Sequence, residues 1–369
     1  MERIKRKLVL EDGTEFIGTG FGSNVDAIGE VAFNTSMAGY QEIISDPSYT
    51  DQIIVMSYPI IGSYGITDDD FESRMMTLKA FIVRDYNDTP SNFRYTKTLD
   101  ELLEENGVPG LEGIDTRKLV KLIRSNGNMV AMLVDADRDS EEVLKIVRNY
   151  KYPTDEVSRV SCKKRWYSRT PNHQYNVVAV DCGIKLQMIR ELNRLGCNVT
   201  VVPYNIKAED VLNLKPDGLY LSNGPGDPTN VPEVVDLIKQ MKGRVPIMGV
   251  CLGHQLIALA YGGNTYKLKF GHRGGNHPVV DKNTGLIQIT SQNHGYAVDE
   301  KSLESTKLKV SHINILDKTV EGIEDKKNMV FSVQFHPESA PGPNDSLKLF
   351  DKFIDNMCDW RNKCQKEKI

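Results

Sequence analysis

Apolar residues come in short alternating runs over the first 150 positions and in short unbroken runs after position 176. The first stretch contains Lys7-Leu8-Val9-Leu10 and Phe16-Ile17, with Asp12-Gly13 between them and the glycine-rich segment 18–22 after them. That punctuation predicts β-strands and turns. Residues 52–56 and 78–83 read as further strands. Between positions 116 and 125, Leu119, Leu122 and Ile123 share one face of a helix. Asn126-Gly127 is its stop signal. The expected result is a mixed α+β domain over residues 1–150.

After position 176 the rhythm changes. Val177-Val178-Ala179-Val180 has the character of a strand buried on both faces. Residues 185–195 read as a helix stopped by Gly196, 199–202 and 218–221 as strands, 233–241 as a helix and 245–250 as a fourth strand. This alternation predicts an α/β domain over residues 176–369, doubly wound around a mostly parallel sheet. Such sheets bind ligands beyond the carboxyl ends of their strands, so the loops after Leu221 and Val250 are the places for chemistry. The intervening residues 151–175 are polar and weakly periodic, and read as a solvated linker. Their Lys163-Lys164-Arg165 run is too short to argue for a nucleotide or partner site.

Composition narrows the function. Lys and Arg number 46 against 50 Asp and Glu, a formal charge of −4. That excludes a dominant basic face for nucleic acid or anionic lipid. No run approaches the ~20 apolar residues of a membrane span, and Leu8-Val9-Leu10 is too short for a signal peptide core. The six cysteines show no CxxC spacing, so neither a disulfide scaffold nor a zinc framework is expected, and a reducing cytoplasm is the natural setting. The seven histidines are absent from the first 172 positions. Thiol or imidazole chemistry therefore belongs to the second half.

Gly249-Val250-Cys251-Leu252-Gly253 has the form glycine-x-nucleophile-x-glycine between an apolar strand and a helical run. Glycine on both sides permits the sharp turn that lifts Cys251 above the sheet. A plain buried cysteine between incidental glycines is the competing reading, and the strand–turn–helix context argues against it. A thiol nucleophile needs a base and an orienting group. Phe331, Val333 and Phe335 alternate along a strand, and just beyond it His336 and Glu338 point the same way. Ser222-Asn223-Gly224-Pro225-Gly226-Asp227-Pro228 reads as a rigid loop with exposed amides, either a plain turn or a second donor beside Leu252 at an oxyanion. His272 and His277 lack a companion Cys or acidic residue at ligand spacing, so no metal is expected. Gly18-x-Gly20-x-Gly22 reads as a turn or bulge. With no G-x-x-x-x-G-K-[ST] present, ATP chemistry is not expected of this chain.

These motifs carry a resemblance. Gly249 to Gln255, His336-Pro337-Glu338, the 222–228 loop and Gln292-Asn293-His294-Gly295-Tyr296 resemble the class I (triad) glutamine amidotransferase domain, over about residues 176–360. In the first half, Phe33-Asn34-Thr35-Ser36-Met37-Ala38-Gly39-Tyr40-Gln41-Glu42, Asp46-Pro47-Ser48-Tyr49, Ser91-Asn92-Phe93-Arg94 and Gly113-Ile114-Asp115-Thr116-Arg117 resemble the small subunit of glutamine-hydrolysing carbamoyl-phosphate synthase. So does the segment from Lys269 to Pro278.

The resemblance implies a reaction and a division of labour. Cys251 is the nucleophile, His336 the base and Glu338 its orienter. Leu252, Gly224 and Gly226 stabilise the oxyanion, and Ser48, Gln255, Asn293, Gly295 and Tyr296 hold L-glutamine. Ser48 comes from the first domain. The implied partner is a large synthase subunit, in a heterodimer or larger hetero-oligomer, which uses ATP, Mg and bicarbonate and receives the ammonia. No cofactor is implied for this chain, and carbamoyl phosphate for pyrimidine or arginine synthesis is the implied product. Another class I amidotransferase or a free-standing γ-glutamyl hydrolase stays open from the second half alone. A silent scaffold would have lacked the cysteine.

Overall fold

The computed structural model describes residues 4–366. They form two compact units that divide between Pro153 and Thr154.

The first unit is built on a closed barrel. Its strands are β1 (Lys5–Leu10), β2 (Glu15–Gly22), β3 (Ala27–Asn34), β4 (Gln52–Met56), β5 (Ala80–Ile82), β6 (Pro109–Glu112) and β7 (Val130–Asp135). Their order around the barrel is β1-β2-β6-β5-β4-β3-β7. Helix α1 (Leu99–Glu105) starts with a capping box between Thr98 and Glu101. Helix α2 (Thr116–Asn126) is capped by Asp115 and ends at Gly127, at φ 104°, as its sequence signals predict.

One expectation is corrected here. The segment 18–22 lies inside β2 rather than forming a turn. Its glycines answer a demand for space. A Cβ on Gly18 would stand 2.1 Å from the Glu112 carbonyl, and one on Gly20 would meet the Arg6 side chain at 3.0 Å. Arg6 is buried and pairs with Asp26 at 3.1 Å and Asp135 at 3.5 Å. The glycines thus mark close approach within a strand.

The second unit carries one ten-stranded sheet. Its strands are β8 (Trp166–Ser168), β9 (Tyr175–Asp181), β10 (Cys197–Pro203), β11 (Gly218–Leu221), β12 (Ile247–Val250), β13 (Thr265–Asp281), β14 (Ile287–Val298), β15 (Lys309–Asn314), β16 (Val320–Asp325) and β17 (Val330–Val333). The order is β8-β10-β9-β11-β12-β17-β16-β14-β13-β15. From β10 to β17 the pairings are parallel. Successive residues of these strands face opposite layers. Val178, Val180, Leu219, Leu221 and Ile247 pack in one core with the helices Pro232–Met241 and Leu252–Ala260. Val177, Ala179, Tyr220, Met248 and Val250 pack in the other, with helices Leu186–Arg194 and Lys348–Lys366. That is the doubly wound arrangement the unbroken apolar runs predict. Added to it is an antiparallel wing, β16-β14-β13-β15, that the apolar rhythm of the sequence did not reveal.

The linker expected over 151–175 is corrected as well. Only its first residues precede the second unit. Residues Glu156–Val160 form a helix, and β8 pairs antiparallel with β10. Val157 is buried in the core of the sheet. The segment reads as polar because just a few of its side chains turn inward.

The Lys348–Lys366 helix seals one face through Phe350, Phe353 and Met357, all fully buried. Phe353 packs tilted against Tyr220 and edge-on to Phe331, with ring centroids 6.5 Å away in each case. Phe353→Ala is expected to destabilise the second unit by about 3–5 kcal/mol. Both tryptophans, Trp166 and Trp360, lie in that unit, so urea unfolding followed by tryptophan fluorescence checks it.

Candidate functional site

Strand β12 ends at Val250, and the helix α3 (Leu252–Ala260) starts two residues later. Cys251 makes the turn alone, at φ 54° and ψ −103°. That is the left-handed region, unusual for a side chain with a Cβ and typical of strained functional positions. The strain is held by its surroundings. The Cys251 N–H donates to Val333 O at 2.9 Å, and the Gly253 N–H to Ser222 O at 3.1 Å. A Cβ on Gly253 would lie 2.4 Å from Leu221 O, and one on Gly249 would lie 2.8 Å from Gly253 O. Both glycines are therefore required by close contact rather than by a backbone angle only glycine adopts.

The Cys251 Sγ–H donates to the Asn293 carbonyl at 3.6 Å. Residues Ser332 to Glu338 bring the second group alongside: β17 pairs with β12 in parallel register, Val250 opposite Val333. His336 then follows, held by its N–H to Ser291 O at 2.8 Å. His336 Nδ1 bonds Glu338 Oε1 at 2.9 Å, while Nε2 has no hydrogen-bond partner among the described residues. The three side chains Cys251, His336 and Glu338 are all buried.

A fourth residue, missed in the sequence, completes this line. Lys185 is buried, and its Nζ bonds Glu338 Oε1 at 2.7 Å and the Ala340 carbonyl. In the sequence it read as the first residue of a helix. It instead precedes the helix Leu186–Arg194, in extended conformation. Burial alone would raise Glu338, but Lys185 and then His336 outweigh it and hold the carboxyl well below the ordinary range. Burial likewise works against a charged His336, and Glu338, then Cys251, overcome it and raise the imidazole. Lys185, Glu338 and His336 therefore form one buried row in which each group shifts the next.

The other expected residues fall into two groups. Gly224 packs between Cys182 and Leu252: a Cβ there would stand 2.1 Å from Cys182 O and 2.8 Å from Leu252 Cδ2. Gly226 takes φ 84°. Leu252 opens the helix, so its N–H has no carbonyl within the helix to meet. Asn293, Gly295 and Tyr296 lie on β14. Gln255 is committed to bracing that strand, since its Nε2 donates to Tyr296 O at 2.9 Å and Gln334 Oε1 at 3.0 Å. Ser48 belongs to the first unit, where it is buried at the start of the turn Pro47–Tyr49 and its N–H donates to Asp46 Oδ1 at 2.9 Å.

The absence of a companion for His272 is corrected. Strand pairing brings His272 beside His294 and Glu321, and donor atoms of all three lie within 4.8 Å of one another. Sequence spacing hid this because the three come from β13, β14 and β16. Among the described residues, no helix is long and apolar enough to cross a membrane.

The comparisons with known proteins agree with both halves of the chain. Residues 8–133 match the family described as carbamoyl-phosphate synthase small chain, CPSase domain. Residues 178–356 match glutamine amidotransferase class-I. A carbamoyl phosphate synthase small chain from Listeria innocua is 52% identical over 353 residues, covering 96% of this chain and 97% of its own. One from Fusobacterium nucleatum is 53% identical, covering 95% and 98%. A carbamoyl phosphate synthase pyrimidine-specific small chain from Bacillus subtilis is 52% identical, covering 95% and 96%.

Removing the ammonium tests the buried row. Lys185→Met leaves the Glu338 carboxylate with His336 alone, and is expected to cost about 3–5 kcal/mol of stability at neutral pH. Glu338 has a folded value below its ordinary 4.5, so its contribution is complete above pH 4.5 and is lost as pH falls through the lowered value. The gap between native and variant stability, measured by urea unfolding from pH 7 down to pH 3, is expected to narrow toward acid.

Proposed function

The chain belongs to the carbamoyl phosphate synthase small chain family and is a glutamine amidotransferase subunit, and from that premise we propose that it hydrolyses L-glutamine at Cys251 and passes the ammonia to a large synthase subunit. The observation that carries the proposal is the buried row Lys185–Glu338–His336 ending at a cysteine in a strained strand-to-helix turn.

The chemistry follows from the groups. Cys251 passes its proton to His336 as its sulfur attacks the side-chain amide carbon of glutamine, forming a C–S bond, and the carbonyl electrons move to oxygen. The amides of Leu252 and the 224–226 loop receive that oxyanion. One such donor is worth roughly 2.7–4 kcal/mol of barrier. His336 delivers a proton to the leaving nitrogen as the C–N bond breaks, and ammonia departs. Water then attacks the thioester, His336 takes its proton, and glutamate and the thiol are released. Glu338 keeps His336 in the tautomer with Nε2 toward the sulfur. Asn293, Gly295 and Tyr296 hold the glutamine, and Gln255 supports Tyr296.

A partner is required by the product. Ammonia is a nucleophile, ammonium is not, and neutral water interconverts them. The acceptor reaction, consuming ATP, Mg and bicarbonate, is assigned to the large subunit, and its carbamoyl phosphate serves pyrimidine or arginine synthesis. The match of residues 8–133 to the small-chain domain supports this reading over a free-standing γ-glutamyl hydrolase.

The decisive experiment measures glutamate release by the chain alone and with the large subunit, ATP and bicarbonate. Weak release that rises strongly in the full mixture is expected, and a well-folded complex without release overturns the proposal. Cys251→Ser is expected to abolish glutamine-dependent carbamoyl phosphate synthesis and to spare synthesis from added ammonia. In single-turnover assays Glu338→Ala is expected to be milder than His336→Ala, because an orienting group matters less than the base.

A pH profile reads the electrostatics. Glu338 raises the imidazole, so Glu338→Gln is expected to move the alkaline limb of kcat/KM to lower pH. An unmoved limb separates that limb from His336.

A further inference from the structure

The antiparallel wing holds a second buried cluster of chemistry-bearing side chains that glutamine hydrolysis does not use. His272 and His294 are direct partners in the β13–β14 register, and their rings meet edge to face with centroids 4.8 Å apart. Register shifts flank His272 on both sides, and such bulges re-aim side chains. Glu321 enters from β16: its Oε1 is 3.6 Å from His272 Nδ1 and 3.9 Å from His294 Nε2. Side-chain exposures are 10% for His272, 1% for His294 and 0% for Glu321.

The hydrogen bonds around the cluster fix the orientation of both rings. His272 Nε2 bonds Asp317 Oδ2 at 2.7 Å, and as a carboxylate accepts, Nε2 carries the proton. His294 Nδ1 lies 2.8 Å from Tyr296 O, a carbonyl that likewise accepts, and His294 Nε2 lies 3.2 Å from Gln292 Oε1, a contact that a bound ion would replace. His272 Nδ1 and Glu321 Oε2 have no hydrogen-bond partner among the described residues. Donor atoms of His272, His294 and Glu321 thus lie within 4.8 Å of one another. Each imidazole is fixed from behind by an acceptor, an arrangement common behind metal-bound histidines.

We propose that His272, His294 and Glu321 bind one divalent transition-metal ion of the zinc class. Two nitrogens and a carboxylate suit zinc and its first-row neighbours and do not suit magnesium or calcium, which take oxygen. Glu321 supplies one or both oxygens, and Asp317 acts as the positioning carboxylate on His272. The ion ties β16 to β13 and β14. It thereby braces the strand whose Asn293 and Tyr296 carbonyls accept from Cys251 and Gln255.

The test uses the full chain after chelator treatment. Zinc chloride is titrated calorimetrically, cobalt chloride by visible absorption, and magnesium chloride is the hard-ion comparison. One zinc per chain is expected, with a cobalt spectrum of low-symmetry, nitrogen-containing coordination, a zinc-dependent rise in Tm and no saturable magnesium binding. Glu321→Gln is expected to weaken zinc by at least about tenfold, and Cys251→Ser to bind zinc like the native chain. If Glu321→Gln does not fold, Asp317→Asn, whose side chain is 41% exposed, carries the test with the same expected loss. No saturable zinc binding, binding abolished by Cys251→Ser, or unchanged affinity in the folded Glu321→Gln or Asp317→Asn chain would each overturn the site. Glutamate release is a separate readout, so loss of the metal site leaves the glutaminase proposal standing.

Discussion

Glu338 has no exposed side-chain surface and sits between the ammonium of Lys185 and the imidazole of His336, both of them bonded to the same oxygen. A lone carboxylate at that depth would take up a proton rather than pay the desolvation cost. With its two partners it stays charged, and by staying charged it raises the affinity of His336 for a proton. The row links three separate places in the chain: the end of β9, the segment after β17, and the turn after β12. Those segments neighbour one another because β9, β11, β12 and β17 are successive in a parallel sheet. The order of strands is thus what makes the charges possible. Buried ion pairs are poor sources of net stability, so the reason to retain this one lies in the geometry it imposes on His336.

The same sheet fixes the cysteine by contact rather than by charge. Gly249, Gly253 and Gly224 leave no room for a Cβ, and the strained Cys251 backbone is locked between them. These two constraints are complementary. Close packing sets where the sulfur is, and the buried row sets which nitrogen of His336 faces it. Either one alone leaves a thiol and an imidazole in the same cavity without a defined relation.

Some of this was legible in the sequence because it is local. The strand, turn and helix around Cys251 occupy fewer than fifteen residues, and His336-x-Glu338 places both side chains on one side by strand parity alone. The helix from 116 and its stop at Gly127 follow from periodicity and a glycine signal. What escaped is what depends on distant pairing. Lys185 looks like any lysine at the start of a helix until the fold carries Glu338 to it. Glu321 lies 27 residues from His294 and 49 from His272 in the sequence, and no spacing rule connects them. The wing itself was hidden because β13 and β14 are half exposed and rich in polar residues. In the segment 154–175, a few inward side chains such as Val157 anchor an otherwise polar stretch to the sheet. The glycines of β2 misled for a related reason: glycine marks turns and close approaches alike, and only the neighbouring Arg6 and Glu112 distinguish them.

Strand β14 shows how far one element is loaded. At Asn293 its carbonyl takes the thiol, at His294 its side chain turns to Glu321, and at Tyr296 its carbonyl takes both the His294 ring and the Gln255 amide. A strand offers each residue's side chain to one face and its backbone groups along the ladder, so adjacent residues can serve different neighbours without competing. The cost is coupling. His294 shares the Tyr296 carbonyl with Gln255, and Gln255 belongs to the helix that begins at Cys251. A shift at the histidine cluster therefore reaches the nucleophile through two hydrogen bonds and one helix. The Tyr296 carbonyl is thus one of the points at which the polar wing meets the apolar parallel core, and a change in one is felt there by the other.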